Sequence, residues 1–155
     1  MMALVLRGST EMLGPVTRES VLKNNPDWHA VVSAYNPKPG SIEALRAVSE
    51  DVTVEVYFGT WCPDSKAHVS EFFKVLDLAD NPHLRAVYTA VPRDRAQRVP
   101  YYGMREVERL PAFLVFVDGR EIGRIVETPE KSVEEDLVQI LDRQAPRGAA
   151  PPRPR

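Results

Sequence analysis

The segment 52–66, VTVEVYFGTWCPDSK, decides how the rest of the chain is read. Val52 to Phe58 are β-branched or aromatic at every position but Glu55, which predicts a strand ending at Gly59. Pro63 suits the first position of a helix. Beyond it Val69, Phe72, Phe73 and Leu76 recur at helical spacing until Asn81-Pro82 ends the run. Cys62 is thereby placed where a strand turns into a helix N-terminus. Unpaired backbone N–H groups and the positive end of the helix dipole favour a thiolate there, the form in which cysteine attacks. Asp64 opposes this, Lys66 and the Ser65 hydroxyl offset it, and the net sign stays open from residues alone.

Outward from this block, Arg85 to Val91 (RAVYTAV) predicts a second strand, making a parallel β-α-β unit. Residues 92–109 are polar and basic with two prolines, expected to hold a loop and one short helix. Ala112 to Val117 and Glu121 to Val126 flank Asp118-Gly119, a strong hairpin signal. Ser132 with Glu135 forms a capping box for a last helix that turns Val133, Leu137, Ile140 and Leu141 inward. Glu134, Glu135 and Asp136 are expected to be its exposed, dipole-matched first turn. Before the block, Trp28, Val31, Val32 and Tyr35 predict one short helix. Ser41 is the expected N-cap of another, carrying Ile42, Leu45 and Val48. The fold class is therefore α/β, in the order helical lead, β-α-β, connector, β-β-α. Residues 1–16 read as a flexible lead, 17–144 as the domain, and 145–155 (APRGAAPPRPR) as a disordered Pro/Arg-rich tail.

Composition narrows the chemistry. The 155 residues make one domain, and 20 basic against 22 acidic side chains leave no cationic surplus for nucleic acid. No stretch approaches the roughly 20 apolar residues of a membrane span. The run Met1 to Leu6 is broken by Arg7 and lacks the pattern of a secretory signal, so a cytoplasmic setting is expected, where thiols stay reduced. A single cysteine excludes an internal disulfide and a cysteine-built zinc site, so no metal and no bound cofactor are expected. His68 is six residues after Cys62, about 240° round and about 9 Å along a helix, too far to serve as that thiol's base. His29 and His83 have no ligand spacing with it.

Phe58-Gly59-Thr60-Trp61-Cys62-Pro63-Asp64-Ser65-Lys66 resembles the strand-end Trp-Cys-x-x-Cys-Lys pattern of the thioredoxin superfamily except at Ser65, and Leu110-Pro111-Ala112 resembles that family's proline before the hairpin. More closely, the chain is similar to a bacterial thioredoxin-like group with Trp-Cys-Gly-Asp-Ser at this place, including the helical lead with its Trp, the run EIGRIVETP and the closing SVEEDL. Proline at 63 departs from that group's glycine and stiffens the turn. The resemblance implies a thioredoxin fold, with β-α-β then β-β-α around a four-stranded mixed sheet and a helical N-terminal extension. It also implies a cis bond at Pro111 and a partner chain held along Trp61, Pro63, Leu110 and Pro111.

The family's second cysteine resolves mixed disulfides with help from a buried acid on the strand, and Ser65 and Val56 stand at those two places here. Glu55, on the other face of the strand by the period of two, is expected to be a solvated or edge charge rather than a replacement. The catalytic positions are thus Cys62 and Ser65. Two readings follow. One is a monothiol protein of thiol-disulfide oxidoreductase type, in which Cys62 forms mixed disulfides with protein or small-molecule partners. An external thiol, such as glutathione or another low-molecular-weight thiol acting as co-substrate, then releases them. The other is a thioredoxin-fold binding or adaptor module without redox turnover.

Overall fold

The strand predicted over Val52–Phe58 forms with those bounds and sorts its side chains by the period of two: Val52, Val54, Val56 and Phe58 enter the main hydrophobic cluster, whereas Tyr57 joins a smaller one on the opposite face. A computed structural model describes residues 11–143; the lead before Glu11 and the tail over 145–155 lie outside the described residues. The elements are β1 (Gly14–Val16), α1 (Arg18–Asn24), α2 (Trp28–Ala34), α3 (Pro39–Arg46), β2 (Val52–Phe58), α4 (Pro63–Ala79), β3 (Leu84–Ala90), α5 (Val99–Tyr102), β4 (Ala112–Val117), β5 (Arg120–Val126) and α6 (Val133–Arg143). The strands form one mixed sheet in the order β1-β3-β2-β4-β5, with β2 and β3 parallel and the other pairs antiparallel. The class is α/β.

The sheet has five strands rather than the four expected. Gly14 to Val16, assigned by sequence to a flexible lead, pair with Ala90, Thr89 and Tyr88 and cover the free edge of β3. A three-residue strand shows no readable alternation, and Pro15 is tolerated because this is an edge. Helix α1 was also not anticipated; Thr17 and Ser20 cap it reciprocally, each side chain accepting from the other's backbone N–H.

On the main face α4 lays Val69, Phe72 and Phe73 on the sheet, with ring centroids 5.2 Å apart for Phe72–Phe113 and for Phe73–Tyr88. Trp28 of α2 is 1% exposed and meets Phe58 edge-on. The first turn of α6 departs from expectation. Glu134 is 1% and Asp136 8% exposed. The Glu134 carboxylate accepts from the Tyr35 hydroxyl at 2.5 Å and the Lys38 N–H at 2.9 Å, and Asp136 accepts from the N–H groups of Glu130 and Lys131. Burial, then the bond to Glu134, raises the Tyr35 hydroxyl well above the usual tyrosine range. A helix start also differs: α3 begins at Pro39 with Lys38 as its N-cap, so Ser41 is not the cap. Pro39, suited to the first helical position, sets the start ahead of Ser41.

The second face is covered over β2 and β4 by the connector 92–109 and Leu110 just after it, with Tyr102 and Leu110 packing against Tyr57, Ala112, Leu114 and Phe116. Glu55 on this face is not a free charge. It accepts from the Tyr57 hydroxyl at 2.7 Å and from two nitrogens of Arg105 at 3.0 and 2.8 Å, while the Arg105 guanidinium lies 4.3 Å from the Phe116 ring centroid. The Arg105 bonds hold the Glu55 carboxyl below its ordinary range; burial, then Glu55, pushes Tyr57 up to about 12.

Candidate functional site

Cys62 is the N-cap of α4, in extended backbone (φ −94°, ψ 122°), and its side chain makes no capping bond. Its N–H donates to the Gly59 carbonyl at 3.1 Å, and its carbonyl accepts the first helical bond from Lys66 at 3.0 Å. The turn needs glycine at 59, because a Cβ there would lie 2.3 Å from the Trp61 ring. That ring is pinned in turn: Trp61 Nε1 donates to the Val91 carbonyl at 3.0 Å, and the Val91 N–H donates to Phe58 at 2.9 Å. Two strand ends and one indole thus fix the thiol at the point where the first-turn N–H groups of a 17-residue helix lack backbone acceptors.

The thiol is 9% exposed, at the edge of a cleft of about 310 Å³. Asn25, Asp27 and Trp28 of the helical lead form one side and Trp61, Pro63 and Lys66 the other. Lys66 Nζ bridges them, 2.8 Å from Asp27 Oδ2, so its charge goes to the lead rather than to the thiol. Ser65 is 0% exposed, and its hydroxyl accepts the Gly59 N–H at 3.1 Å, tying the first helical turn to the end of β2. Of the residues singled out by sequence, Trp61, Cys62 and Pro63 line the cleft; Ser65, Leu110 and Pro111 do not.

The Leu110–Pro111 bond is cis, the isomer that the family resemblance implies, and the Pro111 carbonyl accepts the Glu127 N–H at 2.8 Å. Leu110 belongs to the second-face cluster, against which Trp61 also packs, so the proline segment and the cysteine turn share a hydrophobic neighbour. His68 turns to Glu71, whose oxygen lies 3.0 Å from Nδ1, and this bond raises its pKa. Among the described residues no group of three or more His, Cys, Asp or Glu side chains is placed to hold a metal ion. No described helix is long and apolar enough to cross a membrane.

Sequence reasoning missed two parts of the surroundings. The loop Asn25 to Trp28 walls the cleft, and only Trp28 carried a signal, as a core residue. The guanidinium groups of Arg93 and Arg98 lie 6.0 and 5.0 Å from the centre of the Trp61 ring. The run PRDRAQR was legible as basic, but nothing in it points to an indole thirty residues earlier.

No family model matches the chain, and no curated protein matches it. Solved structures resemble it in fold, among them the following two. One is a protein of unknown function from Pseudomonas aeruginosa, with a TM-score of 0.57 and 15% identity over 82% of this chain and 87% of that one. The other is an HIV epitope-scaffold, with a TM-score of 0.62 and 16% identity over 84% of this chain and 93% of that one. At these identities the similarity concerns the fold alone.

Proposed function

We propose that the chain is a thioredoxin-like monothiol protein that exchanges disulfides through Cys62. Strands β3, β2, β4 and β5 follow the β-α-β then β-β-α order of that fold, and β1 with the helical lead is an addition to it. The carrying observation is the position of the only cysteine at the N-cap of α4, directly after the Gly59–Trp61 turn. In the exchange, the Cys62 thiolate attacks one sulfur of a disulfide RSSR, forming Cys62–S–S–R and releasing RS⁻. A second thiol R′S⁻ then attacks the R sulfur of that mixed disulfide, releasing the Cys62 thiolate and forming R–S–S–R′; the sum is RSSR + R′S⁻ → RSSR′ + RS⁻, an exchange that conserves the number of disulfides. With Ser65 bound to Gly59 and no second cysteine, this thiol comes from outside, and glutathione is of the right class.

Native protein treated with oxidised glutathione is expected to gain one glutathione at Cys62 by mass spectrometry and to lose it with reduced glutathione. Reaction only after unfolding overturns the reading. It would favour the binding-module alternative, to which the 9% exposure of Cys62 already lends weight.

A further inference from the structure

Four arginines of the described chain sit in ion pairs, while Arg93 and Arg98 share with Arg46, Arg85, Arg95, Arg120 and Arg143 the lack of one; what sets Arg93 and Arg98 apart is their place against Trp61. Arg18, Arg105, Arg109 and Arg124 each pair with a carboxylate, of Asp77, Glu55, Glu127 and Glu121. Arg93 and Arg98, the two that lie against Trp61, have no carboxylate within ion-pair distance among the described residues. Two acids beside this segment bond backbone: Glu11 accepts the Arg93 N–H, and Asp94 accepts the Ala96 N–H at 3.0 Å. Arg98 is held in place, its Nε and Nη2 donating to the carbonyls of Pro92 and Arg93 at 2.9 and 2.8 Å, so its charge is fixed beside the indole. Trp61 thus has the thiol as its neighbour in the chain and, in space, two cations that stand outside any ion pair.

We infer that the disulfide taken up by Cys62 is small and anionic, with carboxylates that settle on Arg93 and Arg98 while a sulfur enters the cleft; this rests on the monothiol reading above. Size supports it. About 310 Å³ is at the low end of small-ligand sites and suits one half of a small disulfide. Charge supports it too, because guanidinium groups without internal partners attract carboxylates and speed their encounter. Lys66 also lines the cleft, but its charge is shared with Asp27.

The test compares rates of Cys62 modification in the full chain by three disulfides of similar reactivity class: oxidised glutathione (anionic), bis(2-hydroxyethyl) disulfide (neutral) and cystamine (cationic). At low salt the anionic probe should lead, with the preference shrinking at high salt as screening sets in. Replacing both arginines (Arg93→Gln with Arg98→Gln) should slow the anionic probe about tenfold, the lower end of electrostatic steering, and leave the neutral probe within about twofold. Arg93→Gln alone, at an exposed side chain, keeps the Arg98 braces and should give part of the loss, which separates charge from any loosening of the connector. Equal rates for the three probes, or an anionic rate indifferent to both variants, would overturn the inference and leave the monothiol reading standing. No reaction with any probe in the folded state would overturn both.

Discussion

The two faces of the sheet are held by different physics. On the helical face Val54, Val56, Phe58, Phe113 and Val115 meet Phe72 and Phe73 in a dry cluster, where energy comes from area removed from water and from close packing. On the other face a smaller cluster lies under a connector whose one α-helix, α5, has four residues, and polar clamps hold that connector down: Arg105 on Glu55, Glu55 on Tyr57, Arg98 on its own loop carbonyls. Beyond the connector, Val87 of β3 is 51% exposed. The faces therefore differ in what disturbs them: volume matters on one, charge on the other. Cys62 sits at the seam, because its helix belongs to the first face and the adjoining Trp61 packs on the second.

The largest effect should come from the dry face. Phe72, fully buried against Phe113 and Tyr88, should cost about 3–5 kcal/mol when changed to Ala. Urea unfolding checks it, and a loss below about 1 kcal/mol would erase the contrast between the faces.

Glu55→Gln tests the clamp. Side chains here are 38% and 21% exposed for Arg105 and Glu55, so water screens the pair and the expected cost is about 1 kcal/mol at neutral pH. Because the folded Glu55 carboxyl is held below its ordinary value, this stability is present above the unfolded value of about 4.3 and is lost as pH falls through the folded one. Denaturation of parent and variant should therefore converge as pH falls, and also at high salt; a gap that does not narrow in acid would assign the cost to packing.

The smallest effect belongs to His68 on α4. Its pKa is raised by Glu71, so the ion pair stabilises fully below the unfolded value of about 6.5 and fades as pH rises through the raised one. With the pair partly exposed, at 18% and 20%, the difference between parent and His68→Gln should be a few tenths of a kcal/mol at pH 5.5 and near zero at pH 9. Thermal melts at the two pH values read it, and the opposite trend would mean that His68 is held neutral.

Where one residue's neighbours in space are also its neighbours in sequence, the chain was legible. Strand β2, the start of α4 at Pro63 and strand β4 match their predicted positions, because alternation and proline at the first helical position act within a few residues. Capping acts over the same range: Ser132 caps α6 by accepting the Glu135 N–H, although its hydroxyl rather than its backbone N–H donates to the Glu135 carboxylate, so the box closes by half. Around the cysteine, the N-cap position was readable for the same reason. Its wall at Asn25, Asp27 and Trp28 was not, nor were the guanidinium groups of Arg93 and Arg98 against Trp61, since these segments come before and after the parallel unit in the chain.

What sequence alone determined is therefore the α/β order and the single thiol at a strand-to-helix turn. Only the tertiary structure decided that Glu134 and Asp136 are buried braces, that Lys66 answers Asp27, that Ser65 is spent on Gly59, and that β1 closes an edge. A carboxylate in a helix's first turn, or a lysine one turn after a cysteine, has the same local propensity in water as against another element. Whether it meets solvent or a partner N–H depends on how elements far apart in the chain are packed, and no short-range pattern encodes that.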